Sequence, residues 1–237
     1  MDKIFDFKTG EILLVDKPLD WTSFAVVNKL RWKIKNRLGV KKIKVGHAGT
    51  LDPLASGLLI LCTGKKTKEI ETFQGLEKVY SGSITLGATR PSYDMETEID
   101  QTFETKHITG DLIKQTAAGM QGEVDQMPPI FSAKKVNGQT AYKLARKGEE
   151  VNLKPKRIEI KEFKITCIKG NAVHFMITCS KGTYIRSIAH DFGKALHSGA
   201  YLSSLRREAI GEFNVADSKS IEEWIETIVK SEIIEAQ

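Results

Sequence analysis

The stretch Val45–Gly57, VGHAGTLDPLASG, sets three small residues, Gly46, Ala48 and Gly49, ahead of a single carboxylate, Asp52. Pro53 follows directly, and Ala55, Ser56 and Gly57 lead into the apolar run Leu58–Cys62, LLILC. Glycine tolerates φ above zero and admits close approach of another backbone. The proline ring removes a donor and pushes the residue before it away from the helical region toward an extended one. An aspartate on a rigid, glycine-lined bend with basic sequence upstream reads as a placed reactive group. The rival reading is a Gly/Pro turn with a solvated Asp, which is what an isolated string of this kind more often is.

Charge is the next signal outward. Lys29, Arg31, Lys33, Lys35, Arg37, Lys41, Lys42 and Lys44 follow one another with no acid between them. The chain carries a formal net charge of +6, so the +8 of this segment leaves the remainder at −2. Such a stripe is the footprint of a polyanionic partner, with a solvated basic helix face as the competing reading. No Walker or dinucleotide pattern is present, so the expected polyanion is nucleic acid rather than a bound nucleotide. A second segment, Gln126–Gly148, holds Lys134, Lys135, Lys143, Arg146 and Lys147 and no acid. Pro128-Pro129 bars a central strand there and Asn137-Gly138 marks a tight turn. It reads as a basic, irregular excursion of the sort that moves on ligand binding.

Composition removes several classes. A chain of 237 residues can bury a sizeable core as one large domain. With 41% hydrophobic and 28% charged residues, disorder is not the expectation. The run Leu58–Cys62 is far too short to span a bilayer. The opening MDKIFDFKTG holds no apolar leader, so a cytoplasmic protein is expected. Cys62, Cys167 and Cys179 are odd in number and form no CxxC pair, which argues against a disulfide framework and a zinc site. Cys62 and Cys179 fall in strand-like runs and are expected as small buried thiols.

The pattern of elements reads α+β, a mixed, largely antiparallel sheet with helices on its flanks. Strands are expected at Ile12–Val15, Leu58–Cys62 and Lys78–Leu86. The clearest hairpin joins Ile158–Ile168 to Val173–Cys179 through Lys169-Gly170-Asn171, with Val173, Phe175, Ile177 and Cys179 on one face. A helix capped by Thr22 or Ser23 presents Val26, Val27, Leu30 and Ile34 at near-helical spacing. Further helices are expected over Lys65–Phe73, Thr109–Met120 with Thr109 as cap, Tyr142–Lys147, after Thr183 as cap, and over Ser220–Val229. The segment ATRPSYDMETEID from Ala88 to Asp100 reads as a loop.

Four blocks together resemble the TruB-type tRNA pseudouridine synthases. They are GEILLVDKPLDWTS from Gly10, VGHAGTLDPLASGLL from Val45, QMPPIFSAKKVNGQTAYKLARKG from Gln126, and CSKGTYIRSIAHDFG from Cys179 with YLSSLRR downstream. They run in the family's order and cover roughly Gly10 to Arg207. The resemblance implies the pseudouridine synthase fold as one catalytic domain over residues 1–237, with an RNA-contacting excursion at about 126–155. It implies isomerisation of the uridine at tRNA position 55, in the T-loop, to pseudouridine by base flipping. Assistance to tRNA folding could accompany the reaction. No metal and no organic cofactor is implied. The partner implied is tRNA, through its T-arm, with no membrane and no protein partner, acting as a monomer.

The same resemblance implies roles residue by residue. Asp52 matches the catalytic aspartate, the carboxylate needed to break the uracil–ribose bond so that the base can rejoin through carbon. Arg186 matches the arginine that pairs with it and keeps it ionised. Tyr80 matches the tyrosine that stacks on the target base, and Tyr184 and Leu205 match residues lining the uracil pocket. His47 matches the histidine that fills the space left by the flipped nucleotide, and an acid–base role is the alternative. Asp94 matches an aspartate beside the site, while Lys17 and Pro18 are expected to brace the bend. Lys134, Lys135 and Arg146 are expected on RNA. Two features depart from the family: Arg90-Pro91-Ser92 replaces its usual Thr-Asp-Thr, and the chain stops after one helix where most bacterial relatives continue into a PUA domain. The expectation is therefore a short form without that domain. A tRNA-binding folding factor without chemistry is the main competitor, and intact Asp52, Arg186 and Tyr80 favour the enzyme. A hydrolytic glycosidase would want a second carboxylate flanking the bond.

Overall fold

The computed structural model describes residues 4–132, 134–136, 138–149, 152–232 and 234. The first elements are β1 (Ile12–Lys17), α1 (Ser23–Arg37), β2 (Val45–His47), β3 (Ala55–Thr63), a 3-10 segment (Gly64–Glu69) running into α2 (Ile70–Gly75), and β4 (Lys78–Leu86). The middle contributes β5 (Ala88–Thr89), β6 (Gln101–Thr102), α3 (Gly110–Gly119), β7 (Gly122–Gln126), β8 (Lys135–Val136), β9 (Gln139–Thr140) and α4 (Ala141–Arg146). The last third holds β10 (Lys156–Lys169), β11 (Ala172–Cys179), α5 (Ile185–Ala195), β12 (Ala200–Ile210), β13 (Phe213–Asn214) and α6 (Ile221–Lys230). The architecture is mixed, with mostly antiparallel strands flanked by helices. Two compact units are resolved, Met1–Val79 with Arg206–Gln237, and Tyr80–Leu205.

In the first unit β3 pairs antiparallel with β1, in the register Ile12↔Cys62 to Lys17↔Gly57, and with β2, from Val45↔Thr63 to His47↔Leu61. Its apolar run is continuous because both faces are covered. Leu59 and Leu61 join Leu13 and Val15 under the buried stripe of α1 and under Ile221, Trp224 and Ile228 of α6. Leu58, Ile60 and Cys62 face the other way, onto Ala48, Phe73 and Ile210. The Thr22 hydroxyl accepts from the Ala25 amide and caps α1, and Val26, Val27, Leu30 and Ile34 form its buried stripe. Helix α6 starts with a reciprocal capping box between Ser220 and Glu223.

In the second unit the strand order is β12, β4, β11, β10, β7. β10 and β11 form the expected hairpin, turning at Gly170 with φ +56. Val173, Phe175, Ile177 and Cys179 are all buried, and the Phe163 ring meets those of Phe175 and Phe192 at 6.1 and 5.3 Å. β7 stands at the end of this order and stops at Gln126, before Pro128-Pro129, as a strand must when the next residues cannot donate to a ladder.

Several expectations are corrected. The segment Lys65–Phe73 is a 3-10 turn followed by a short helix, since the Thr67 hydroxyl donates to the Gly64 carbonyl at 2.7 Å and holds the tighter winding. Thr183 does not cap α5. Its hydroxyl donates to the Ser180 carbonyl, and Tyr184 occupies the cap position without a side-chain bond. The loop after Ala88 contains the short pair β5–β6. β12 escaped the sequence reading because Ser203, Ser204, Arg206 and Arg207 interrupt its alternation. Each has a specific partner instead: the Ser83 hydroxyl lies 2.8 and 2.7 Å from those of Ser203 and Ser204, and Arg206 pairs with Asp16 at 2.7 Å. Asn137, with Ala133 and Glu150-Val151 of the basic excursion, lies outside the described residues. Gly138, in the expected turn, has φ +83.

Candidate active site

The aspartate bend belongs to the first unit and connects β2 to β3. The Ala48 amide donates to the Ile60 carbonyl at 2.9 Å, and the Ala55 amide to the Asp52 carbonyl at 3.1 Å, which closes a turn over Pro53. Gly49 has φ +99 and Gly57 φ +101, so each end of the bend uses backbone that side-chain-bearing residues rarely adopt. Gly57 also lies against β12: a Cβ there would stand 2.3 Å from the Arg207 carbonyl oxygen.

Two side chains hold the bend from beneath, and a third is buried beside it. Ser23, at the start of α1, exchanges two hydrogen bonds with Leu51, its hydroxyl donating to the carbonyl at 3.0 Å and accepting from the amide at 2.8 Å. Arg207, 1% exposed, donates from Nε to the Leu58 carbonyl at 2.7 Å and from Nη2 to the Gly49 carbonyl at 3.1 Å. Lys17 is fully buried and donates to the Pro18 and Trp21 carbonyls at 2.8 and 2.7 Å. Burial pushes the Lys17 ammonium down to about 8, Asp52 and Asp20 pull it back up, and Arg207 adds to the fall. The Asp20 amide in turn donates to the Pro53 carbonyl at 2.9 Å. The half-buried Asp52 is therefore carried on a backbone tied to β1, α1 and the end of β12.

His47 precedes the bend at the end of β2 and is half-buried. Burial lowers its pKa, the Arg207 charge lowers it further, and the Gly49 backbone opposes the fall. Its Nδ1 is buried and has no hydrogen-bond partner among the described residues.

The remaining expected residues lie in the second unit. Arg186 is in the first turn of α5, 5% exposed, with Nε 3.6 Å from an Asp94 carboxylate oxygen. Its Nη1 donates to the Phe131 carbonyl at 2.8 Å and to the Ser92 carbonyl at 3.4 Å. Asp94, 6% exposed, also accepts from the Glu96 amide at 3.0 Å. Arg90-Pro91-Ser92 is held by contacts of its own. The Ser92 hydroxyl meets that of Thr97 at 2.8 Å, and the Arg90 guanidinium lies 4.7 Å over the Tyr201 ring. Tyr184 is clamped by Gln126, whose amide oxygen accepts from the Tyr184 N–H at 2.7 Å while its amide nitrogen donates to the Tyr184 carbonyl at 3.0 Å. Tyr80 is buried in β4, and Leu205 is half-buried in β12.

Among the excursion's cations, Lys134 donates to the Lys154 carbonyl at 3.2 Å, and Lys135 belongs to β8. Arg146 pairs with Glu96 at 3.1 Å and lies 4.8 Å over the Tyr142 ring. Among the described residues, no group of three or more His, Cys, Asp or Glu side chains could hold a metal ion. No described helix is long and apolar enough to cross a membrane.

Arg207 and Gln126 were given no role from sequence, and Ser23 was read only as a possible helix cap; each takes its role here from a partner distant in the chain. Arg207 carried the one available signal, a second arginine in LRR on a strand flanked by apolar residues.

Residues 35–185 match the family described as TruB family pseudouridylate synthase (N terminal domain). The chain is 52% identical over 230 residues to tRNA pseudouridine synthase B of Phocaeicola vulgatus, covering 97% of this chain and 98% of that protein. It is 52% identical over 217 residues to the protein of the same name from Flavobacterium johnsoniae, covering 91% and 95%. Among solved structures, a chain of an H/ACA RNP bound to a substrate RNA containing 2'-deoxyuridine superposes with TM-score 0.65 at 26% identity. The match covers 92% of this chain and 53% of that one, so the present chain spans about half the length of that structural relative.

Proposed function

Because the chain belongs to the TruB family of pseudouridylate synthases, we propose that it isomerises the T-loop uridine at tRNA position 55 to pseudouridine, with Asp52 as the reacting carboxylate. The carrying observation is the bend itself. One aspartate sits on a turn whose backbone is tied down by Ser23, Arg207 and the Asp20 amide. Such pre-positioning is what a reaction at a single sugar carbon needs, since misplacement of about 1 Å can cost on the order of 10²-fold in rate.

The uridine leaves its loop and its base is received by aromatic and aliphatic faces, the parts assigned to Tyr80, Tyr184 and Leu205. Asp52 then acts on the ribose, either by attack or by deprotonation toward a glycal. The freed uracil turns and its C5 bonds to C1′, displacing Asp52 from the adduct or with C2′ of the glycal reprotonated. C5 then gives up its proton and N1 takes one, so the product is an isomer of the substrate. Arg186 is the guanidinium assigned to support the reacting carboxylate, and its burial and fixed fork of donors suit that part. Asp94, which holds the Arg186 Nε, orients it. His47 fills the space vacated by the nucleotide, and burial favours its neutral form. Lys134, Lys135 and Arg146 meet phosphates of the T-arm. The reading extends to a monomer that works in the cytoplasm without a protein partner.

The test is to incubate the protein with an unmodified tRNA and map pseudouridine by chemical sequencing. Wild type modifies the T-loop uridine, and Asp52→Asn abolishes the modification while leaving RNA binding in place, because phosphate contacts supply most of the affinity. Full activity in the Asn variant removes Asp52 from the chemistry.

A further inference from the structure

Helix α1 has two faces. Val26, Val27, Leu30 and Ile34 are buried against β1, β3 and α6, and Ser23 is buried on Leu51. Phe24, Asn28, Arg31, Trp32 and Lys35 repeat at the same three-to-four spacing on a different side, and together with Lys41–Lys44 they line a groove of about 840 Å³. The opposite wall is anchored by Ile43, which packs on the core beneath α1 and so leaves Lys41, Lys42 and Lys44 exposed around it.

Two aromatic rings stand open here. Phe24 is 63% exposed and Trp32 is 56% exposed, which leaves two large apolar faces in water. The groove lining contains five cations and no acid. The Lys33 ammonium stands 5.6 Å from the centre of the Trp32 ring. Open aromatic faces among unneutralised cations are the composition of a single-stranded nucleic-acid site, where bases stack and phosphates meet Lys and Arg. A basic helix bearing Trp and Phe is also how some proteins lie on anionic membranes. That mode presents its rings on a convex face, whereas here they line a concavity of ligand-holding size.

We propose that the groove between α1 and Lys41–Lys44 is a second RNA subsite, in which an unpaired base stacks on Trp32 and the adjoining phosphates are met by Arg31, Lys35, Lys41, Lys42 and Lys44. It rests on the reading of the chain as a tRNA-modifying enzyme and adds a place where substrate is held. The placement is useful because Lys44 runs directly into β2, the strand that delivers His47 and the aspartate bend. A strand lodged in the groove is therefore tethered to the same unit that carries Asp52.

The experiment measures affinity by fluorescence anisotropy with labelled hexaadenylate, a strong stacker, and with labelled unmodified tRNA. Trp32→Ala should weaken both roughly tenfold or more, and Trp32→Phe should stay within about threefold, because the stack survives. Replacing Lys41, Lys42 and Lys44 together by Ser should flatten the slope of log K against log salt by about 2 for the single strand. Asp52→Asn should bind both RNAs as wild type does. Loss of the catalytic assignment thus shows in turnover, and loss of the subsite shows in anisotropy. Trp32→Ala within twofold of wild type on both RNAs overturns the proposal. So does a Trp32→Ala variant that loses binding to phosphatidylserine vesicles but not to RNA, which would make the groove a membrane contact.

Discussion

Replacing Gly57 with alanine tests whether the aspartate bend is held as tightly as its contacts imply. The added Cβ would stand 2.3 Å from the Arg207 carbonyl oxygen, 2.7 Å from its amide nitrogen and 3.0 Å from its carbonyl carbon. All three are backbone atoms, so no side chain can swing aside. Restoring ordinary contact near 3.4 Å requires β3 and this part of β12 to part by about 1.1 Å. Arg207 resists that movement through its bonds to Leu58 and Gly49. The φ of +101 adds its own penalty for any residue with a Cβ, about 1–2 kcal/mol. Strain and separation together should cost about 3–4 kcal/mol, toward the upper end of single substitutions. For a chain of this length that lowers Tm by roughly 10 °C. Below the transition, turnover should fall on the order of 10²-fold, because the carboxylate is displaced by about 1 Å. Calorimetry and pseudouridine formation at 20 °C measure the two effects. Gly119→Ala is the control, since no atom lies within 4 Å of its added Cβ, and it should leave Tm level or slightly raised. A Gly57→Ala protein within about 2 °C and threefold of wild type would refute the reasoning.

Three further outcomes are expected. Arg207→Met should cost about 2–4 kcal/mol, because the Leu58 and Gly49 carbonyls lose a buried donor. Its turnover should drop as well, whereas unchanged kcat would show that the arginine supports only stability. Arg186→Lys keeps the charge but loses the fork to Asp94 and Phe131; turnover should fall at least about tenfold, and a change within about twofold would remove Arg186 from the site. His190, stacked on Tyr93 at 3.9 Å, is pushed by burial and then by Lys194 from 6.5 down to about 4. The unfolded state then binds the extra proton between those two pH values. Stability is full above about 6.5 and declines as pH falls to about 4, by up to about 3 kcal/mol. His190→Phe keeps the stack and should remove that acid limb from urea titrations run between these limits.

Local chemistry made several parts of this protein legible in the sequence. The cap, Thr22 of the two candidates, and the 26, 27, 30, 34 stripe of α1 depend on neighbours within two turns, and the stripe stands as read. So does the β10–β11 hairpin, whose turn glycine and alternating face are adjacent features. The Gly-Asp-Pro bend was visible because its conformation needs special residues at consecutive positions. Tertiary structure decided the rest, where a residue's role depends on a partner far along the chain. Arg207 reads as a surface arginine until β12 brings it beneath Gly49, 158 residues away. Gln126 is an ordinary strand end until its amide closes on Tyr184, and Ser203 and Ser204 look like loop residues until Ser83 satisfies them. Phe24 and Trp32 carry the same lesson in reverse. Helical periodicity could place them off the core stripe, but only the fold shows that the wall facing them is basic rather than apolar. Buried polar groups take their meaning from the one donor or acceptor they find, and no spacing rule along the chain specifies which it will be.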